Sequence, residues 1–320
     1  MRTGTKIWLV AAILLILSGC MVFGGVMSML GWNFEKLYTV KYETNHHEIT
    51  EAYTGISLAT DTADVTLVLS EDGKTGVEIC EQEKIFHTVE VKDGILEIRV
   101  TDTRKWYEHI GIGFGNTKIT LTLPAGEYGD LSVRVNTGDV VIPEGLAFRS
   151  VTLEATTGDV ECNATAEAMK IKTSTGGISV NGASVGVLEL SVSTGRVNVT
   201  DAAVREELSV NVSTGKAVLR GVACRDFTSV GDTGDLSMTD LIATGKLSVE
   251  RSTGDVTLTR CDAAEITVTT STGDVEGSLL SGKDFSVHSN TGHTSYPGSV
   301  PGGGACVIRT STGTIRITVE

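Results

Sequence analysis

The sequence predicts an all-β protein, a parallel β-solenoid (β-helix) of about ten 19-residue coils, preceded by a transmembrane helix and a small β cap. Three observations point there. The dipeptide Thr-Gly recurs with its glycine at 138, 158, 176, 195, 215, 234, 254, 273, 292 and 313, so the spacing stays between 18 and 21 residues. On either side of each glycine, apolar and polar residues alternate with period two, which marks strands with one buried face. A single uncharged apolar run stands ahead of everything else.

That run is Ile7 to Leu30. A helix of this length, at 1.5 Å per residue, crosses a hydrocarbon core of ~30 Å with room to tilt. Arg2 and Lys6 precede it, so the positive-inside rule makes residues 1–6 a cytoplasmic tail, residues 7–30 the span and all that follows extracytoplasmic. Trp32 and Tyr38 follow where aromatic side chains favour the interface. An alternative is open: Leu17-Ser18-Gly19-Cys20 resembles a lipoprotein cleavage box, which would leave Cys20 lipidated at a new N-terminus. The apolar stretch that continues to Leu30 favours the uncleaved span.

Residues 31–48 read as a polar linker, in which His46 and His47 are spacer. Residues 49–128 read as a β cap closing the membrane-proximal edge of the solenoid, because an unpaired edge recruits other chains. Within it, Thr62-Ala63-Asp64-Val65 looks like a degenerate Thr-Gly-Asp-Val. Lys92-Asp93-Gly94 signals a hairpin between His87–Glu90 and Ile95–Val100. Trp106, Tyr107 and Phe114, among glycines 111, 113 and 115, form an irregular aromatic loop before a strand at Lys118–Leu123.

Residues 129–320 carry the repeat. Seven and five residues before each glycine stand apolar rows running from Leu131 and Val133 to Cys306 and Ile308. Two and four residues after it the rows run from Val140 and Ile142 to Ile315 and Ile317. A unit this short buries its apolar face only by stacking on copies of itself. Ten coils at ~4.8 Å per strand give a rod on the order of 50 Å. The glycine is expected at positive φ at a corner, and the threonines before it in a hydroxyl ladder. Gly231-Asp232-Thr233-Gly234 and the Pro297–Gly304 loop are expected to distort the seventh coil and the turn before the last. The C-terminal coil is expected to leave its edge exposed at Glu320.

Charge excludes one class of partner. The net charge is −14, and setting aside Arg2 and Lys6 leaves −16 beyond residue 30, a surface that repels nucleic acid. The cysteines, Cys20, Cys80, Cys162, Cys224, Cys261 and Cys306, form no CxxC pair and read as small core residues. Aspartate follows the glycine at 139, 159, 235, 255 and 274, and a column of carboxylates can hold Ca²⁺. The interruptions Gly177, Arg196, Lys216, His293 and Thr314 favour a turn residue that helps satisfy the corner. No catalytic, cofactor-binding or metal-binding residues are therefore assigned, and no cofactor is expected.

The motif Ser-Thr-Gly-Asp-Val, whole at Ser252–Val256 and Ser271–Val275 behind one apolar segment, resembles a bacterial β-strand-repeat family of unknown function, adhesin-type and common in Firmicutes. The resemblance covers essentially the whole chain. It implies a surface-exposed solenoid and, in some relatives, genes linked to the envelope-stress response, and it carries over no catalytic or ligand residues. The expected role is a structural or interaction protein of the cell envelope, its partners the lipid bilayer and a wall polymer or envelope protein, without catalysis. The alternative is a regulatory ectodomain that senses envelope stress through a membrane partner.

Overall fold

Period-two alternation becomes structure most plainly in the coil that turns at Gly195. Its strand, Ser184–Thr200, points Val185, Leu188, Leu190 and Val192 inward before the corner and Val197 and Val199 inward after it. Ala202 and Val204 fill the return side, and all eight are buried. Each such aliphatic side chain contributes ~1.5–3 kcal/mol when taken out of water. Parallel pairing sets every coil in register on the next, Gly176 against Gly195 and Gly195 against Gly215.

This is a computed structural model, and it describes residues 3–32, 42–105 and 117–320. The chain divides into two units, Met1–Glu43 with Gln82–Ile85 and Asp102–Gly115, and Thr44–Glu81 with Phe86–Thr101 and Asn116–Glu320. The first contains α1 (Thr3–Met29), in which Trp8–Met29 is long and apolar enough to span a bilayer. Its described side chains are apolar all round, the pattern of a span or a signal sequence. The second unit contains the solenoid. Tyr38, Trp106, Tyr107 and Phe114 lie outside the described residues.

Ahead of the Thr-Gly coils come β1 (Tyr42–Ile49), β2 (Gly55–Thr62), β3 (Asp64–Leu69), β4 (Thr75–Gln82), β5 (Ile85–Lys92), β6 (Ile95–Asp102) and β7 (Lys118–Leu123). Asp93 and Gly94 both take positive φ, 52° and 76°, the geometry of a two-residue hairpin turn between β5 and β6. His46 and His47 lie in β1 rather than in a spacer.

The ends of the stack depart from chain order. β2 and β3, which turn at Ala63, pair on one side with β6 and β7 and on the other with the strands of the Gly138 coil. The antiparallel strand β4 then covers β7. At the far end the last coil, Ala305–Thr312 and Ile315–Val319, sits between the Gly273 coil and the Gly292 coil. The expectation of an exposed edge at the C-terminal coil is thus corrected. The outermost rung is the Gly292 coil, where inward-pointing Phe285 and Val287 are only partly buried and Phe285 packs on Tyr296 at 6.0 Å between ring centroids. The Pro297–Gly304 segment distorts no corner, because it carries the chain back past one rung. Lys283 holds this end down, with Nζ 2.6 Å from Asp262 Oδ1 and donating to the Ala263 carbonyl at 2.6 Å.

The seventh coil is not distorted either. Val212, Gly231 and Arg251 stand in register on successive rungs, in an inward column. Gly231 leaves the space that the Arg251 guanidinium fills, and a Cβ there would collide with Nη1. Nη2 donates to Ser229 Oγ at 2.7 Å, and Ser229 donates onward to the Val210 carbonyl. Arg251 is 3% exposed, and burial, with no carboxylate beside it, pushes its pKa down. The cysteines are free thiols, with Cys162, Cys224, Cys261 and Cys306 buried in the core. Burial pushes the thiols of Cys162, Cys224 and Cys306 up to about 12, leaving them inert.

Candidate functional site

The Thr-Gly glycines form one column. Their φ values lie between 131° and 154°, and a Cβ on any of them would land inside the carbonyl oxygen of the corner stacked beside it. A side chain is thus excluded by both conformation and space. The column starts at Ala63, whose carbonyl sits against Gly138, so the degenerate Thr-Ala-Asp-Val motif is its first corner.

Corners from Ala63 to Gly273 are held in two ways. Where aspartate follows, the strand breaks and the carboxylate replaces the missing bond by accepting the N–H of the equivalent residue on the next coil. Asp64, Asp139 and Asp159 accept from Asp139, Asp159 and Gly177 at 3.0, 2.8 and 2.6 Å. Asp235, Asp255 and Asp274 accept from Asp255, Asp274 and Thr314 at 3.2, 2.8 and 2.7 Å. Between these two runs the corners at Gly176, Gly195 and Gly215 carry Gly177, Arg196 and Lys216, and there the strands pass through the corner unbroken. The expected threonine hydroxyl ladder does not form among the described residues. The threonine carbonyls do that work, accepting the glycine N–H of the preceding coil, as Thr157 does from Gly138 at 3.0 Å.

Because every corner lacks a side chain, a furrow of about 850 Å³ runs over six coils from Asp139 to Asp235. Its floor is the bare glycine backbone. Arg196, Lys216, Asn198 and Ser179 line its middle, and Asp139, Asp159 and Asp235 stand toward its ends. Each of these aspartates already accepts a backbone N–H, and among the described residues no three His, Cys, Asp or Glu side chains converge as a metal site.

One polar cluster escaped sequence reasoning. His87 Nδ1 stands 2.7 Å from Glu81 Oε2, its Nε2 2.9 Å from Thr60 Oγ1, and Asn45 donates to Glu81 Oε1 at 2.7 Å. The connectivity matches that of a nucleophile, base and acid. Thr60, however, occupies an inward column, three residues before the Ala63 corner, and Thr60, His87 and Glu81 are all buried. The cluster ties β1, β2, β4 and β5 together from inside. Nothing in residue spacing signals it, since its four members come from four strands.

The family model described as Toastrack DUF4097 matches residues 53–318. No curated protein matches the chain. Among solved structures, a "Putative lipid binding protein" from Parabacteroides distasonis is similar with a TM-score of 0.53 at 18% identity, covering 75% of this chain and 98% of that one. A "putative adhesin" from the same species scores 0.43 at 12% identity, covering 88% and 98%, and one from Parabacteroides merdae scores 0.44 at 13%, covering 87% and 96%. The first likeness is one of fold alone, and the other two carry nothing further.

Proposed function

Because the chain belongs to the Toastrack DUF4097 family, we propose that it is a membrane-anchored binding scaffold of the cell envelope that works without catalysis. Residues 7–30 hold it in the bilayer with residues 1–6 in the cytoplasm, the linker, cap and solenoid lie outside, and Cys20 lipidation is the minor alternative. The observation that carries this reading is the furrow, which extends over six coils, lined by aspartates toward its ends and by Arg196 and Lys216 at its middle, and brings together no nucleophile, base and acid at its surface. Such a surface suits an extended partner that makes many weak contacts rather than a small substrate held at one point.

Two measurements test it. The full-length chain should resist alkaline extraction from membranes, and its C-terminal residues should be open to protease added to cells with the wall removed. Purified in detergent, it should be retained by insoluble wall or envelope fractions. Release by alkali, or no retention by any fraction, would overturn the corresponding half of the proposal.

A further inference from the structure

Six exposed cations on the coils face a carboxylate on the neighbouring rung. Arg134 pairs with Glu154 at 2.9 Å, Lys170 with Glu189 at 2.8 Å, Lys246 with Glu265 at 3.2 Å and Arg316 with Glu276 at 2.7 Å. Arg149 pairs with Asp130 and Arg260 with Asp240 in the same way. Arg196 and Lys216 in the middle of the furrow have no such partner among the described residues, as is also true of Lys172, Arg205, Arg220 and Arg309, but these two alone stand directly opposite each other, as register partners on adjacent coils. Like charges placed directly opposite are destabilising.

No carboxylate of the ladder reaches them. On one side the rung offers Gly177, with no side chain. On the other, Asp235 spends its Oδ1 on the N–H of Asp255, away from Lys216. The furrow therefore carries at its centre two positive charges without an ion-pair partner, flanked by the carboxylates of Asp139, Asp159, Glu161 and Asp235, within an ectodomain of net charge −16. A densely charged polyanion is repelled by that surround. A chain with widely spaced anionic groups carries less charge per unit length and is repelled less.

The floor narrows the ligand further. At the corners the glycine N–H groups are taken by threonine carbonyls or by unbroken strand pairing. No free backbone remains there for an extended peptide to pair with as an added strand. Hydroxyl and amide groups from Ser179 and Asn198 remain.

We infer that the furrow at Gly176–Gly215 binds a linear saccharide carrying spaced carboxylate or phosphate groups, one of which sits between Arg196 and Lys216. This rests on the reading of the solenoid as a binding scaffold and names its ligand chemistry.

The test uses the full-length chain in detergent with three probes of equal length. These are a hyaluronan hexasaccharide (spaced carboxylates), a maltohexaose carrying isolated phosphates, and neutral chitohexaose. Binding of at least one anionic probe is expected, with at least tenfold loss in R196A/K216A and tenfold weaker binding of chitohexaose. R134A/R149A, which makes the same change in net charge elsewhere, should bind as the parent does, and which anionic probe is preferred identifies the group. Equal binding of chitohexaose, unchanged binding by R196A/K216A, or no binding of either anionic probe would overturn the assignment. If R196A/K216A is still retained by envelope fractions while the probes fail, the scaffold reading stands and the furrow assignment falls. If the parent chain is not retained, the scaffold reading itself fails.

Discussion

The corners at Gly176, Gly195 and Gly215 and the aspartate corners on either side of them solve one problem in different ways. Both must satisfy the N–H that follows the glycine while the chain bends. At the aspartate corners a side chain supplies the acceptor, through Asp139 and Asp159 at one end and Asp235, Asp255 and Asp274 toward the other. At the Gly195 and Gly215 corners backbone pairing runs straight through, whereas the N–H of Gly177 still goes to Asp159, so Arg196 and Lys216 are released from that duty. A position freed from holding the fold becomes one that can face a ligand.

The largest effect should be common to both kinds. Gly195→Ala and Gly158→Ala each drive a methyl group into the neighbouring carbonyl at a φ hostile to L-residues. Each should cost at least ~4 kcal/mol, the range of severe backbone and packing failures, read by urea unfolding. Gly182→Ala is the control, since its φ is 64° but open space surrounds it, and it should cost only ~1–2 kcal/mol.

The next effect separates the two kinds. Asp255→Ala removes the acceptor for the Asp274 N–H and should cost ~1–2 kcal/mol, largely restored by Asp255→Asn, whose amide oxygen still accepts. Arg196→Ala removes no bond of the fold and should stay within ~0.5 kcal/mol. Equal losses at the two sites would erase the distinction.

Acid sharpens the contrast at the distal end. Burial would raise the Asp262 carboxyl, but the Lys283 ammonium and the hydroxyl of Ser281 outweigh it and hold the group below its ordinary value of 3.8. Its contribution is therefore complete above that value and disappears as the pH falls through the lower, folded value. Urea midpoints between pH 2 and 6 should show this acid limb in the parent chain. Lys283→Met should flatten it and cost about 1 kcal/mol near neutrality. The smallest effect is expected from Arg134→Ala, which breaks a solvent-exposed pair and should cost no more than ~1 kcal/mol, less at high salt.

The columns were legible because period and burial are coupled. Once Thr-Gly was aligned, Leu131, Val133, Val140 and Ile142 and their counterparts had to face inward together. The aspartate ladder was half legible, since Asp after Gly signals a corner but not which N–H it accepts. The exchange of rungs at the ends was not legible, because all Thr-Gly corners carry the same signature and one stacks on another equally well. Its trace is the spacing of 21 before Gly313 and the Pro297–Gly304 segment, whose prolines and glycines signal a turn but not the rung it leads to. Arg251 was hidden for a similar reason: its burial shows only when Ser229 and Gly231, on the coil before, are read with it as one site.

Cross-linking tests the order of the column most directly. Asp274 Oδ1 accepts the Thr314 N–H, whereas His293 lies one rung beyond Thr314. Cysteines at 274 and 314 should form a disulfide readily under mild oxidation, read by mass spectrometry, while cysteines at 274 and 293 should not. Ready cross-linking of 274 to 293, with none between 274 and 314, would contradict the stacking described here.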